Sequence, residues 1–532
     1  MEMRAYPSNS IYFLIKRSMF RNLNQFYFNL LFLFLLLQIS WVHSKHGTSY
    51  NATLIIGLSS SSSLSPSRVN HLPGFSGPLP FYLETGYVSV DGSYEEDSPS
   101  NIDYGNKNTE MFYYYAKSER NPEEDPLVFG FTGGPRFSSL SALFFEIGRH
   151  LKAPSSLIFY NYLHFQYVAN IIFPDGPIYT GFSYSKSSPS LRVGDEESSK
   201  SIHQFVMKWL IGHPEFKSNP LYIGGDSYSG KIVPVVVQYL INDIETQKYP
   251  FLHLKGYLLG NPVTNRQLDH TARVPYAYGM GLLSYELFES MKENCKGKYV
   301  NFDLDNVNCL KDRLKFQECT SNINQAHISE DKYCDNLNQK PEQPIDNRRS
   351  LSVNAGVVAS LEPILPIPGC RAYSLFYSNF QIMYMKYHNQ NLVSGYWANN
   401  DRVLEALHVK KETVKKWIRC NYDIPYAYDI SSSVEYHRNI STKLGYRALI
   451  YSGDHDYIVP HISTKAWIRS LNLSIVDDWR PWLLDDQFAG YTRTYSSGLT
   501  YATVKGAGHT APEFRPKECY AMFERWMSHA PL

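Results

Sequence analysis

The chain has 532 residues with 51 Lys and Arg against 50 Asp and Glu, and a formal net charge of +1 excludes a dominant polyanion-binding surface. Hydrophobic residues make up 43% and charged residues 19%, which excludes wholesale disorder and leaves one large enzyme domain with insertions, or several smaller ones. Seven cysteines are too few for a disulfide-built miniprotein, and their odd number leaves at least one thiol without an intramolecular partner.

Residues 1–44 read as a secretory signal peptide. Arg4, Lys16, Arg17 and Arg21 precede an apolar stretch from Phe26 to Ile39, and Ser44 supplies the small residue near a cleavage point. A spanning helix needs roughly 18 or more apolar residues; Asn29 and Gln38 hold this run short of that, so no stable membrane anchor is expected. Residues 45–68 read as a flexible Ser-rich leader, centred on Ser59–Ser67. Asn51, Asn439 and Asn472 stand in glycosylation acceptor triplets, in keeping with export.

From residue 69 to 532, strand and helix patterns alternate. The apolar runs Leu127–Thr132, Asn170–Phe173, Pro220–Gly224 and Ala448–Tyr451 are bounded by turns, as strands of a parallel sheet buried on both faces would be. Helical patterns such as Val233–Ile241, Val403–His408 and Thr464–Leu471 supply the covering layers, which makes the fold class α/β. An inserted cap is expected over about 275–395, carrying Cys295, Cys309, Cys319, Cys334 and Cys370, with an exposed linker at about 335–354.

The segment Leu221-Tyr-Ile-Gly-Gly225-Asp226-Ser227-Tyr228-Ser229-Gly230 is a strand, a sharp turn carrying Ser, and the start of a helix. That is a nucleophile elbow, with the small residues Gly225 and Ser229 two positions either side of Ser227. A serine hydroxyl becomes nucleophilic only when a histidine takes its proton and an acid orients that histidine. Asp456 and His509 follow in turns after apolar strands, in the order Ser, acid, His; Asp454, His455 and His461 compete for those roles. No phosphate loop and no clustered His or Cys ligands occur, so neither a cofactor nor a metal is expected.

These turns, with His71-Leu-Pro-Gly-Phe-Ser-Gly-Pro78, Thr132-Gly-Gly-Pro135, Thr180-Gly-Phe-Ser-Tyr184 and Gly260-Asn-Pro262, resemble those of plant serine carboxypeptidase-like proteins. The resemblance runs from about Val69 to Leu532 and implies an α/β-hydrolase fold, a central mostly parallel sheet with helices on both faces. It implies Ser227 as nucleophile, His509 as base, Asp456 as orienting acid, and the amides of Gly134 and Tyr228 as the oxyanion hole. It places Thr132, Gly133, Glu146 and Asp226 in the substrate site.

Peptidases of the family hold a substrate carboxylate with Asn before the paired glycines and Glu before the nucleophile. Thr132 and Asp226 stand there instead, and Asp reaches about 1.5 Å less far. Both changes resemble the acyltransferase branch, which moves an acyl group from a glucose ester to an alcohol or amine in plant secondary metabolism. The partners expected are a small-molecule acyl donor and acceptor, or else a peptide C-terminus, and no nucleic acid. A carboxypeptidase is the alternative enzyme, and a catalytically impaired member or silent binding protein the non-enzyme alternative. Arg136, Phe137 and Tyr179 depart from the family's Gly, Cys and Gly, next to the expected oxyanion hole. Because Phe137 removes the family partner of Cys420, Cys420 is expected to be free; Cys519, in the helical pattern Lys517–Met527, is expected to be a buried thiol. Cys295 is expected to pair with Cys309, and Cys319 with Cys334 or Cys370. The resemblance and the leader together imply the secretory pathway, ending outside the cell or in the vacuole.

Overall fold

Short runs of β-branched and aromatic residues form the parallel centre of one large sheet. The computed structural model describes residues 66–75, 77–90, 109–147, 164–186, 193–300, 303, 305–331 and 394–532. Its strands in chain order are β1 (Ser67–Val69), β2 (Leu83–Ser89), β3 (Thr109–Ala116), β4 (Leu127–Phe131), β5 (Asn170–Pro174), β6 (Tyr184–Ser185) and β7 (Val193–Gly194). They continue as β8 (Leu221–Asp226), β9 (Leu254–Gly260), β10 (Tyr426–Ala427), β11 (Arg447–Gly453), β12 (Ile475–Leu484), β13 (Gln487–Tyr495) and β14 (Leu499–Val504). The main sheet runs β1-β2-β3-β5-β4-β8-β9-β11-β14-β13-β12, with β6 beside β3, while β7 pairs with β10. From β5 to β14 the pairing is parallel. Antiparallel strands flank it on both sides.

The period-2 geometry of the strands divides their side chains between two cores. Leu127, Phe129, Ile223, Leu259 and Ile450 enter one, against Trp209, Val233 and Trp467 of the helices Asp195–Gly212, Ser229–Glu245 and His461–Ser470. Val128, Phe173, Tyr222, Leu258 and Leu449 enter the other, against Phe523 and Trp526 of the helix Pro516–Met527. Both faces being covered, the central strands read as continuous apolar runs. The outermost strand β12 is irregular: its register with β13 shifts at three points, and Pro481 lies within it.

A third, smaller core lies between the helices Tyr285–Cys295 and Val307–Thr320, around Met291, Phe316 and Tyr457. A disulfide joins Cys295 to Cys309 there. Closing a loop of about 15 residues is worth roughly 3 kcal/mol in the chain-entropy account. Cys295→Ser should therefore speed amide exchange across Tyr285–Thr320 by about two orders of magnitude, read by hydrogen-exchange mass spectrometry, with far less effect on the sheet.

The leader ends earlier than expected: Ser67 and Arg68 pair with Thr85 and Glu84 of β2, so they are strand. The signal segment 1–44, the leader to 65, Asn51, Cys334, Cys370 and the linker 335–354 lie outside the described residues. Among the described residues no helix is long and apolar enough to cross a membrane.

Candidate active site

Ser227 sits between the end of β8 and the helix Ser229–Glu245, with φ of 52°. Left-handed geometry disfavours a residue with a Cβ by about 1–2 kcal/mol, and the surrounding bonds hold it. Its N–H donates to the Gly260 carbonyl at 2.8 Å, and its carbonyl accepts from Gly230 at 3.1 Å and Val263 at 2.8 Å. The small flanking residues have a steric cause. A Cβ on Gly225 would come within 2.5 Å of the Ser229 Cβ. The Ser229 hydroxyl donates to the Phe131 carbonyl at 2.9 Å, which docks the elbow on β4.

β11 and β14 end side by side, and their turns bring the other two groups to Ser227. His509 Nε2 lies 2.7 Å from Ser227 Oγ, and His509 Nδ1 lies 2.8 Å from Asp456 Oδ2. A carboxylate only accepts, so Nδ1 carries the proton and Nε2 is left to accept from the serine. Asp456 is fully buried, and its charge is met by donors. Oδ1 accepts from Ile458 at 2.7 Å and Val459 at 3.2 Å, and Oδ2 from Asn261 Nδ2 at 2.7 Å. Burial disfavours the imidazolium of His509, but the charge and hydrogen bond of Asp456, with Asp226 beyond, hold its pKa above the ordinary value. The competitors point elsewhere. Asp454 accepts from the Gly506 amide at 2.6 Å, His455 lies against His327, and burial lowers His461 to about 4.

Asn261 is a site residue that sequence reasoning passed over as a turn mark. Besides holding Asp456 it accepts from the Gly453 amide at 3.2 Å, so it ties the acid to the end of β11. Asn261→Ala should cost about 1–3 kcal/mol, the usual range for orphaning buried hydrogen-bonding groups, measured by denaturant unfolding, and should slow acylation of Ser227.

Beside the elbow, Gly133 packs so closely that a Cβ there would come within 2.5 Å of the Ser227 Cβ. Its amide donates to Asp226 Oδ1 at 3.1 Å. Among the described residues no acceptor takes the amides of Gly134 or Tyr228, which leaves both donors for a ligand. A cavity of about 40 Å³, lined by Glu146, Asp226, Tyr451, His509, Phe165 and Phe523, lies behind the loop, with room for ordered water. Burial pushes Asp226 up to about 6 against the opposing charge of His509. Burial and the neighbouring Asp226 raise Glu146 well above the carboxylate range. The Thr132 hydroxyl is buried and has no partner among the described residues.

Arg136 and Tyr179 both adopt left-handed backbone, at φ of 82° and 72°. Their side chains do not line the cavity. The Arg136 guanidinium turns to the segment after Cys420, donating to the Ile424 carbonyl at 2.8 Å, and lies 5.3 Å from the Tyr422 ring centre. Phe137 bridges Cys420 as an antiparallel partner, and Cys420 is half-buried and free. Cys519 is buried and free, and Cys319 is exposed with no disulfide partner among the described residues. Asp175 is a second positioning residue that no motif singles out. Its carboxylate accepts from Ser138 Oγ at 2.7 Å, Ser139 N at 2.8 Å and Phe182 N at 3.0 Å, joining two loops near the site. Asn439 and Asn472 are both exposed.

Residues 73–529 match the family model described as serine carboxypeptidase. The chain is 44% identical over 475 residues to serine carboxypeptidase-like 7 of Arabidopsis thaliana, covering 88% of this chain and 94% of that protein. It is 45% identical over 490 residues to serine carboxypeptidase-like 9 of the same plant, covering 90% and 98%. Among solved structures it resembles Kex1(delta)p, a prohormone-processing carboxypeptidase from Saccharomyces cerevisiae. The TM-score is 0.63 at 17% identity, over 88% of this chain and 95% of that one, a likeness of fold.

Proposed function

The chain belongs to the serine carboxypeptidase family, and from that premise we propose that it is an acyltransferase working through an acyl-enzyme on Ser227. Ser227 Oγ attacks the carbonyl of an activated ester such as a glucose ester, and its proton passes to His509 Nε2. The amides of Gly134 and Tyr228 receive the oxyanion, and collapse expels the sugar, which takes the proton back from His509. An alcohol or amine acceptor then gives its proton to His509 and attacks the acyl group, and collapse breaks the bond to Ser227 Oγ, which takes that proton back from His509.

The observation that carries the reading is the state of the carboxylate clamp. Asp226 Oδ1 is taken by the Gly133 amide at 3.1 Å, and Thr132 offers one hydroxyl where an amide would be needed. A free peptide carboxylate is held weakly by such a pair, whereas an ester donor needs no clamp. What favours the second reading, a carboxypeptidase, is that buried Glu146 and half-buried Asp226 are still two neighbouring carboxyls whose pKa values are both raised. We also propose that residues 1–44 direct export and that the exposed Asn439 and Asn472 carry glycans.

The test compares turnover of aromatic glucose esters plus alcohol and amine acceptors with turnover of a blocked dipeptide. Ester products formed at least tenfold faster than C-terminal residues are released is the expected result. Efficient peptide cleavage without any ester product would establish the carboxypeptidase instead. Thr132→Asn/Asp226→Glu should shift the ratio toward the peptide.

A further inference from the structure

We infer that Arg136 is a positioning residue that ties together the two halves of the oxyanion hole, a role that rests on the acyl-enzyme reading above. The two amides come from different parts of the chain, Gly134 from the loop after β4 and Tyr228 from the elbow. Arg136, two residues beyond Gly134, spans the gap through the segment 420–428. Its guanidinium donates to the carbonyls of Tyr422 and Ile424 at 3.4 and 2.8 Å and to the Tyr428 hydroxyl at 3.3 Å. It also lies 5.3 and 5.9 Å from the ring centres of Tyr422 and Tyr426.

Those tyrosines grip Tyr228. The Tyr228 ring meets the rings of Tyr428 and Tyr426 edge-on at 5.8 and 6.2 Å. The hydroxyls of Tyr228 and Tyr426 share Asp195 Oδ1 at 2.8 and 2.9 Å. Asn421 braces the same segment from the other side. Its backbone N–H donates to the Arg136 carbonyl and its side-chain amide to the Tyr179 carbonyl, both at 3.1 Å, so one residue holds both left-handed positions. Nearly all the guanidinium's N–H groups are spent on neutral protein acceptors. That makes Arg136 a fastener and not a ligand for substrate.

The test uses the full-length protein and a neutral alkyl fluorophosphonate, which needs no knowledge of the natural substrate. Ser227 Oγ forms a bond to phosphorus, fluoride leaves, and the serine proton passes to His509, while the phosphoryl oxygen sits in the oxyanion hole. Arg136→Ala should lower the labelling rate constant about ten- to a hundredfold while the final extent stays complete. Partial misfolding would instead lower the extent at the wild-type rate. Arg136→Gly/Phe137→Cys replaces the fastener covalently: the introduced thiol would oppose Cys420 across the bridge now made by Phe137, with oxidised glutathione taking up the two electrons and two protons. The crosslinked form should label within about threefold of wild type. An Arg136→Ala rate within twofold of wild type, or slow labelling by the crosslinked form, overturns the role while leaving the nucleophile intact. A wild type that never labels at Ser227 overturns the acyl-enzyme reading and this role with it.

Discussion

Asp456→Asn is expected to lower the rate of acyl-enzyme formation about 10⁴-fold while leaving the fold in place. The Oδ1 position receives the amides of Ile458 and Val459, so the asparagine oxygen must stay there. Its NH₂ then occupies the Oδ2 position, facing the Asn261 NH₂ and His509 Nδ1. Nδ1 can only accept in that arrangement, which moves the ring proton to Nε2, the atom that must take the proton of Ser227. The wrong tautomer costs roughly four orders of magnitude in enzymes built this way. Rapid-quench measurement of the acyl-enzyme, beside a melting curve close to wild type, checks it. A loss below tenfold would remove Asp456 from the orienting role.

The second large effect is one of pH, and it has opposite signs for the two substrate classes. Burial pushes Asp226 up to about 6, and burial with the neighbouring Asp226 raises Glu146 well above the carboxylate range. Below about 6 Asp226 is protonated and can donate to a peptide carboxylate; above it the charged Asp226 repels one. The protonated share falls tenfold per pH unit above the pKa, so affinity for a C-terminal carboxylate should fall about 100-fold from pH 5 to pH 8. A neutral ester escapes this limb, and its kcat/KM should rise over the same range as His509, held above its ordinary value, loses its proton. Asp226→Asn should flatten the peptide limb and spare the ester limb; a peptide KM that stays pH-dependent in that variant would exclude Asp226 as its source. The linkage to stability runs the same way as the peptide limb. A folded-state pKa above the unfolded value of about 3.9 favours the folded state fully only below that value. The contribution is lost as pH rises through about 6.

Ser227 was legible because its chemistry is written in contiguous residues: the strand, the turn and the small flanking side chains are one segment of sequence. The choice of Asp456 over Asp454 was harder, because it depends on where the turn after β11 aims each side chain. Asn261 and Asp175 were not legible as positioning residues: Asn261 reaches the end of β11 and the turn after it, 192 and 195 residues on, and Asp175 joins the loop at Ser138 and Ser139 to the turn at Phe182. Arg136 and Tyr179 showed in the sequence as departures from glycine. The direction each side chain takes did not: the Arg136 guanidinium turns toward Tyr422 and Ile424, while the Phe137 ring packs against Gly134.

The irregular outer strand has a consequence for life at high concentration. An open sheet presents unpaired N–H and C=O groups along its margins, and a second molecule could polymerise there by adding a strand of its own. Here one margin, β1, is only three residues long, and the other, β12, is broken by register shifts, interrupted by Pro481 and charged by Asp477, Asp478 and Arg480. Among the described residues no long, flat template is offered at either end. The chain is thereby protected against fibril-like stacking at high concentration, and straightening β12 with Pro481→Val and Asp478→Val should make it prone to aggregate without touching the catalytic groups.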